Sequence, residues 1–265
     1  MKSIGLVGCG NLGSLIAQGV QNHLSQEYIM AFFLDPNEAA AQRLASRCGG
    51  RACQTLAELL AHCPDYIVEA ATGDALKHIA EPSLRAGCDV IALSVGALAD
   101  EDFAARIERV TRQTGRKLHV ASGAIGGFDL MRTAKLAGAL TCRVVNLKSP
   151  QALDGADYLK DHPLSDLEET IFEGSAQEAI AAFPKNVNVA VAAAIATCGV
   201  ADTQVVVRSV PGLALNTHRI ELEGDFGHAT IEVASAPSPN NPRSSAIAAD
   251  SVVARLQSLA AGIVY

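Results

Sequence analysis

The sequence Gly8-Cys9-Gly10-Asn11-Leu12-Gly13 decides how the first half of this chain folds. The apolar run before it, residues 3–7, is typical of a buried parallel strand, and residues 11–24 carry apolar side chains at helical spacing. A G-x-G-x-x-G sequence between a strand and a helix is the context of a dinucleotide-binding fingerprint. Outside that context, the motif indicates only a tight turn.

Each glycine of the motif has its own physical purpose. Gly8 permits the tight turn, Gly10 lets the backbone approach a pyrophosphate, and Gly13 lets the helix pack closely on the strand. The N-terminus of the helix then presents N–H groups and a partial positive charge to the phosphates. We therefore predict that a dinucleotide cofactor is bound by Gly8, Gly10, Asn11, Leu12 and Gly13.

The second buried run, residues 28–34, ends at Asp35, about 20 residues after the glycine loop. An acidic residue at this place typically accepts hydrogen bonds from the adenosine ribose hydroxyls. The alternative interpretation is a helix cap, with Asp35 as the N-cap and Pro36 at the first position of a helix through Arg47. Both can hold at once. No arginine directly follows Asp35 to neutralise a 2′-phosphate, so the sequence favours NAD over NADP.

Apolar runs and helical segments alternate through the rest of the first half. The predicted strands are at residues 66–69, 90–93 and 118–120, and the predicted helices at 55–62, 74–86 (bent or broken by Pro82) and 100–114. This alternation predicts an α/β fold of the Rossmann type, a doubly wound parallel sheet with helices on both faces. Ligands bind beyond the carboxyl ends of such strands. Small residues there, among them Ala71 and Ala124, leave room for a nicotinamide ribose, or are ordinary loop residues.

The pattern changes after Gly127, where a second, α+β domain is predicted. Its expected parts are a helix at 130–137, a strand at 143–147, a polar surface loop at 149–166, helices at 175–182 and 185–198, strands at 204–209, 216–223 and 228–233, and a loop at 237–242. The last three strands are expected to be close antiparallel neighbours. We predict a dinucleotide-binding domain at residues 1–123, a substrate and catalytic domain at 124–239, and a C-terminal helix in 240–265 that packs on the first domain.

Composition and charge limit the partners of the chain. The 265 residues carry a net charge of −7, which gives no general footprint for nucleic acid or an anionic membrane. No apolar run reaches membrane-spanning length, and the N-terminus lacks a signal-peptide pattern. The seven cysteines form no C-x-x-C pair, so we expect most of them to be small core residues of a reduced, cytoplasmic protein without a metal site. Cys9 is interpreted as a small filler rather than a reactive thiol.

His218 is the candidate for acid–base chemistry. Strand alternation puts it on one face with Asn216 and Ile220, while Arg219 and Glu221 lie on the other. For this residue taken alone, a satisfied core histidine is the better interpretation. A dehydrogenase, however, needs a titratable group near neutrality beside the nicotinamide. His119 also faces inward but is expected to be structural, and the other histidines are expected at the surface.

A second polar cluster, Lys185-Asn186-Val187-Asn188, stands at the start of an Ala-rich helix, directly after Pro184. It combines a cation and two amides at a helix N-terminus, which suits the recognition of a carboxylate or a carboxamide. The alternative is a plain helix cap with an exposed lysine.

Taken together, these motifs resemble the L-aspartate dehydrogenase family over essentially the whole chain. Besides the glycine loop, the resemblance rests on residues 93–98, 121–127 and 238–242, and above all on Phe183-Pro184-Lys185-Asn186-Val187-Asn188-Val189-Ala190 and Asn216-Thr217-His218-Arg219-Ile220. The glycine loop is generic, whereas the last two stretches in this order are much more specific.

The resemblance implies reversible, NAD(P)-dependent deamination of L-aspartate to oxaloacetate and ammonia through iminoaspartate, which in many organisms feeds NAD biosynthesis. It implies that the active-site histidine is His218 and that Ala124 and Asn188 contact the cofactor. Family members use either NAD or NADP and are commonly homodimers. On this basis we expect Lys185 and Asn186 to bind the substrate carboxylates.

Two other functions stay open at this stage. One is another small-acid reductase, of the homoserine-dehydrogenase or dihydrodipicolinate-reductase type. The other is a non-catalytic NAD-binding sensor that has kept the fold.

Overall fold

A computed structural model describes residues 1–184, 187–238 and 241–263, with only the backbone described at 241–244. It divides into two compact units, Met1–Ala121 with Ala248–Tyr265, and Ser122–Ile247. Among the described residues, no helix combines the length and the apolar composition needed to cross a membrane.

The first unit alternates strands and helices throughout. Its elements up to Ala121 are β1 (Lys2–Val7), α1 (Asn11–His23), β2 (Tyr28–Leu34), α2 (Glu38–Cys48), β3 (Arg51–Cys53), α3 (Leu56–Ala61), β4 (Tyr66–Glu69), α4 (Gly73–Arg85), β5 (Asp89–Ala92), α5 (Glu101–Thr114) and β6 (Leu118–Val120). The six strands form one parallel sheet in the order β3-β2-β1-β4-β5-β6. This is the doubly wound order that binds dinucleotides where the strand order reverses, between β1 and β4. The predicted fold of the first half is confirmed.

Apolar clusters lie on both faces of this sheet because its central strands bury side chains on both sides. Ile4 and Leu6 of β1 belong to one cluster, and Ile67 of β4 and Val90 of β5 belong to the other. Pro82 lies inside α4 without interrupting it.

The C-terminal helix completes one of these clusters. The helix α10 (Ile247–Ala260) buries Val252 and Leu256 in the cluster that holds Ile4. The hydroxyl of Tyr28 donates a hydrogen bond to the backbone oxygen of Leu256 over 2.9 Å. A Cβ on Gly19 would lie 2.7 Å from Val253, so α1 and α10 approach each other closely where that side chain is absent.

The second unit is built on a five-stranded sheet. Its elements are α6 (Phe128–Leu136), β7 (Leu140–Lys148), α7 (Pro150–Leu153), β8 (Glu169–Ser175), α8 (Ala176–Ala182), α9 (Asn188–Ala196), β9 (Gln204–Ser209), β10 (Asn216–Gly224), β11 (Gly227–Ser235), β12 (Pro237–Ser238) and β13 (Asn241–Ser245). The strand order is β11-β10-β7-β9-β8, with β7 and β9 parallel and the other pairs antiparallel. The predicted second, α+β domain is confirmed.

The expectation that the last three long strands are antiparallel neighbours is wrong for β9 and β10. The earlier strand β7 lies between them, and only β10 and β11 form a hairpin. The run Val205–Val207 is buried, which suits a strand with a neighbour on each side, and β8 supplies the second neighbour.

Two segments expected as loops contain regular structure. Within the polar stretch 149–166, α7 buries Ala152 and Leu153, and a 3₁₀ helix covers Asp157–Lys160. In the expected loop after residue 236, β12 and β13 pair antiparallel. The part of that motif at residues 239 and 240 lies outside the described residues.

Candidate functional site

The three glycines of the loop meet different surroundings. Gly8 has a φ of +97°, and a Cβ there would lie 2.6 Å from the oxygen of Ala70. A Cβ on Gly13 would lie 2.0 Å from the oxygen of Gly8. The packing of the protein itself therefore requires both residues to be glycine. At Gly10, by contrast, a Cβ would have no protein atom within 4 Å, so open space lies beside the backbone.

The open space at Gly10 coincides with the start of a long helix. Gly10 is the N-cap of α1 and has no side chain to accept from the first turn, and no acidic residue lies in that turn. The partial positive charge of the helix N-terminus is therefore compensated neither by a capping side chain nor by an acid in the first turn. The residues fit the phosphates of a dinucleotide cofactor, which need open space and N–H donors.

Asp35 fastens the glycine loop to the end of β2. Its Oδ2 accepts a hydrogen bond from the backbone N–H of Cys9 over 2.7 Å, and its Oδ1 accepts from the N–H of Asn37 over 2.8 Å. The proposed helix cap at Asp35 is wrong, because α2 begins at Glu38 with Asn37 as its N-cap. The Asp35 carboxylate accepts one hydrogen bond from the glycine loop and one from Asn37, which fixes its place at the carboxyl end of β2 and leaves each oxygen a further lone pair.

Cys9 behaves as a filler. It is 5 % exposed, and its sulfur lies 3.8 Å from the backbone oxygen of Leu34. Burial raises the pKa of the Cys9 thiol to about 12, with the Asp35 charge acting in the same direction. The thiol is therefore protonated at neutral pH and poorly nucleophilic.

Glu69, which the sequence reasoning did not single out, organises the next part of this sheet edge. Its carboxylate is fully buried and accepts four hydrogen bonds, from the N–H of Ala71 (2.7 Å), the hydroxyl (2.8 Å) and N–H (2.9 Å) of Ser94, and the N–H of Leu93 (3.2 Å). Burial raises the pKa of Glu69, while the four hydrogen bonds oppose the rise. The residue ties together the ends of β4 and β5, and an acid closing the apolar run 66–68 was the available signal.

In the second unit, His218 lies on the buried face of β10, on the face that alternation predicted. It is 2 % exposed and pairs in register with Asn146 of the neighbouring strand β7. The ring Nδ1 lies 2.6 Å from the Oδ1 of Asn146. With the amide oxygen toward the ring, Nδ1–H donates and Nε2 keeps the lone pair. Among the described residues, no group forms a hydrogen bond to Nε2.

The surroundings of His218 keep its ring neutral. Burial, and then the charge of Lys148, lower the pKa of His218 well below its ordinary value. Lys148 is itself 3 % exposed at the end of β7. The expected strand stopped at Leu147, so Lys148 was missed. Asn146 was missed because the pairing of β7 with β10 cannot be read locally. A polar residue at every second position after Val144 was the only signal.

The remaining predicted residues have different positions. Ala71 is exposed, Ala124 is buried in the turn after Ser122, and Asn188 is the half-buried first residue of α9. Lys185 and Asn186 lie outside the described residues. Ala124, Asn188 and His218 belong to the second unit, and Ala71 belongs to the first.

The other histidines are placed as expected. His119 is buried, with its Nδ1 2.9 Å from the guanidinium of Arg255 and its Nε2 3.5 Å from the carboxylate of Asp89, and it connects β6 to α10. Burial, and then the charge of Arg255, lower the pKa of His119. The exposed histidines are His23, His62, His78, His162 and His228.

One group of potential metal ligands occurs among the described residues, formed by Cys53, Glu58 and His62. The two oxygens of Glu58 already accept hydrogen bonds, one from Arg51 over 3.0 Å and the other from the N–H of Gln54 over 2.8 Å. Burial raises the pKa of the Cys53 thiol, which disfavours the thiolate that a metal needs. The positions of these side chains are explained by the start of α3 and by the Arg51–Glu58 ion pair, without a metal ion.

Two family models cover most of the chain. The model for the C-terminal domain of aspartate dehydrogenase matches residues 129–259. The model for the NAD-binding domain of homoserine dehydrogenase matches residues 8–121. The second match covers only the nucleotide-binding half of the chain, so it does not bear on the identity of the substrate.

Full-length relatives agree with the first of these matches. The L-aspartate dehydrogenase of Methanosarcina acetivorans is 37% identical, over 98% of this chain and 97% of its own length. That of Methanosarcina barkeri is 36% identical over the same shares.

Solved structures carry the same fold. Aspartate dehydrogenase from Thermotoga maritima has a TM-score of 0.75 at 21% identity, covering 100% of this chain and 99% of that chain. A putative myo-inositol dehydrogenase from Sinorhizobium meliloti has a TM-score of 0.54 at 16% identity, covering 98% and 91%. At these identities the likeness concerns the fold alone.

Proposed function

The chain belongs to the L-aspartate dehydrogenase family, and from that membership we propose that it oxidises L-aspartate to iminoaspartate, which water converts to oxaloacetate and ammonia. The observation that carries the proposal is the buried, neutral imidazole of His218, held by Asn146 with its Nε2 lone pair unused by the described residues. Because the ring is neutral, Nε2 can accept a proton from the substrate, while the lowered pKa makes it a weaker base than a histidine that titrates near neutrality.

His218 acts twice in the proposed reaction. An ammonium group has no lone pair with which to form an imine, so Nε2 first accepts a proton from the substrate amine. Bound NAD(P)⁺ supplies the acceptor for the hydride that leaves Cα. After that proton has passed to solvent, His218 takes a proton from the water that attacks the iminium carbon. It gives this proton to the departing nitrogen, the carbinol hydroxyl loses its own proton as the carbonyl of oxaloacetate forms, and ammonia leaves. The reverse sequence is reductive amination.

The cofactor is proposed to bind the first unit through residues 8–13. Gly10 supports this because its backbone borders open space at the start of α1. Asp35 is proposed to accept from the ribose, Ala71 to border the cofactor at the end of β4, and Ala124 and Asn188 to hold the nicotinamide end. NAD is proposed as the preferred form, since no arginine follows Asp35.

Lys185 and Asn186 remain proposed carboxylate ligands on the strength of their motif. We also propose that the enzyme is a cytoplasmic homodimer. The seven free cysteines support a reducing compartment, and light scattering of the purified chain would measure its mass.

Initial rates test the proposed function. L-aspartate with NAD⁺ or NADP⁺, and oxaloacetate plus ammonia with NADH or NADPH, should give turnover, followed by the absorbance of the reduced cofactor. Homoserine and a cyclic imine serve as comparison substrates. Turnover of either one without turnover of aspartate would select the alternative reductase. Cofactor binding without any turnover would select the sensor.

A further inference from the structure

Beside His218, the second unit has buried polar groups that the proposed mechanism does not use. Lys148 of β7 pairs in register with Ser209 of β9, so both side chains lie on one face of the sheet. Alternation puts Asn146 and its partner His218 on the same face. These four residues are between 0% and 3% exposed. A cation, an amide, a hydroxyl and an imidazole therefore share one buried surface.

Donors on this surface lack acceptors. Among the described residues, no hydrogen bond or ion pair is formed by the ammonium of Lys148. The Nδ2 of Asn146 and the Oγ of Ser209 are buried and have no hydrogen-bond partner in the described part of the chain. Burying an ammonium or an amide N–H without a partner is unfavourable. These two unpaired groups lie beside an ammonium that is desolvated without an acid, so together they indicate a missing acceptor, and the ammonium favours one that carries negative charge.

Among the described residues of the neighbouring strands, no acid provides that acceptor. The carboxylate nearest in register on this face is that of Glu169 of β8, which pairs with Ser209. Its Oε1 accepts a hydrogen bond from the N–H of Ser165 over 2.6 Å. Desolvation is the cause that lowers the pKa of Lys148, to about 8, with no opposing acid. The ammonium is thus left for a ligand.

We infer that Lys148 binds a carboxylate of the amino-acid substrate, with the Asn146 amide and the Ser209 hydroxyl as neighbouring donors. The inference rests on the proposed function, because it takes the substrate to be a dicarboxylate. It makes Lys148 a substrate-binding residue next to the candidate base, in addition to the predicted Lys185. Asn146 then has two tasks, since its oxygen orients His218 while its nitrogen faces the ligand.

The test compares Lys148→Met, which keeps the length and removes the charge, with Lys148→Arg. The non-reactive dicarboxylate succinate is titrated calorimetrically into the NADH complex of each protein. For Lys148→Met, we expect succinate affinity to fall about 10- to 100-fold and the KM for L-aspartate to rise by a similar factor. The Kd of NADH should stay within about twofold, and Lys148→Arg should recover part of the affinity. The exposed Lys135→Met is the matched control and should change neither quantity.

Thermal stability separates binding from structure. A lysine that binds a ligand leaves an unpaired buried charge in the free protein, so Lys148→Met should melt at the same or a higher temperature without ligand. A lower melting temperature, or failure to fold, would make Lys148 structural and overturn the inference. Unchanged succinate affinity and aspartate KM in a folded Lys148→Met protein would overturn it as well.

The same measurements distinguish the inference from the proposed function. If the unmodified protein binds succinate through Lys148 but does not oxidise aspartate, the proposed function fails and the carboxylate site stands. If the unmodified protein oxidises aspartate and Lys148→Met does so with the same KM, the carboxylate site fails and the proposed function stands.

Discussion

The Nδ1 of His218 lies 2.6 Å from the Oδ1 of Asn146, and both side chains are buried on neighbouring strands. This contact fixes which ring nitrogen is protonated, because an amide oxygen can only accept. Nδ1 of His218 therefore has a hydrogen-bond partner, while the lone pair of Nε2 can accept a proton. The core-histidine and general-base interpretations of His218 are thus compatible.

Replacing His218 with alanine removes the proposed base. We expect kcat for aspartate oxidation to fall by at least about 10²-fold, because positioned acid–base groups contribute factors of this size. The Kd of NADH, measured by fluorescence titration, should change little. His228→Ala, at an exposed position of β11, is the control and should keep full activity. A His218→Ala enzyme with an unchanged kcat would exclude His218 as the base.

The glycine loop allows a sharper comparison of two single methyl groups. Gly10→Ala puts a Cβ into open space, so the free energy of unfolding should hardly change while NAD(H) affinity falls about tenfold or more. Gly13→Ala puts a Cβ 2.0 Å from the oxygen of Gly8 and should destabilise the first unit by about 1–3 kcal/mol or more. Denaturant unfolding and NADH titration measure the two effects. Equal NADH affinity in Gly10→Ala and the unmodified protein would mean that the phosphates bind elsewhere.

The fold of the first unit could be predicted well because each of its elements is marked by a short, continuous stretch of sequence. The glycine loop, the period of each helix and the unbroken apolar strands all lie within short windows, and consecutive parallel strands follow from the alternation. The sheet of the second unit was harder. Placing β7 between β9 and β10 depends on pairings between residues some 60 to 80 positions apart, such as Asn146 with Val207 and His218.

The candidate site divides along the same line. Alternation within one strand was enough to put His218 on the buried face of β10. Asn146 and Lys148 become candidate site residues only because they pair across strands with His218 and Ser209. These pairings join distant parts of the chain, so they cannot be predicted from a short stretch of sequence. Asp35 shows a local error: its dipeptide with Pro36 is a good helix start, but its carboxylate accepts a hydrogen bond from the N–H of Cys9 in the glycine loop instead.

Glu69→Gln tests the buried carboxylate at the carboxyl edge of the first sheet. All four partners of Glu69 are donors, so the amide nitrogen of glutamine would face donors where the carboxylate oxygen accepted. We expect a loss of about 2–3 kcal/mol in the free energy of unfolding. NAD(H) binding should weaken too, because Ala71 and Ser94 lose their anchor. Glu81 is partly exposed and forms surface ion pairs with Arg85 and Arg106, so Glu81→Gln should cost less than about 1 kcal/mol. A Glu69→Gln protein as stable as the unmodified one would mean that Glu69 does not hold these loops.

The burial of Lys148 predicts how its contribution to stability depends on pH. The pKa of Lys148 is lowered in the folded protein to about 8, from 10.5 for an unperturbed lysine, so between these values the unfolded chain binds more protons. Stability contributed by this group is therefore complete above pH 10.5 and is lost as pH falls towards 8.

Other groups titrate in the same range, among them the buried Cys88 and Cys142 thiols, so the comparison must be between variants. Without ligand, the stability of Lys148→Met relative to the unmodified protein should decrease by up to about 3 kcal/mol as pH rises from 8 to 10.5. Denaturant unfolding of both proteins at several pH values measures this difference. Saturating succinate should reduce the pH dependence, because the bound carboxylate stabilises the charged lysine. A difference that is constant across the range would mean that Lys148 keeps its ordinary pKa, and therefore that its charge is already compensated in the free protein.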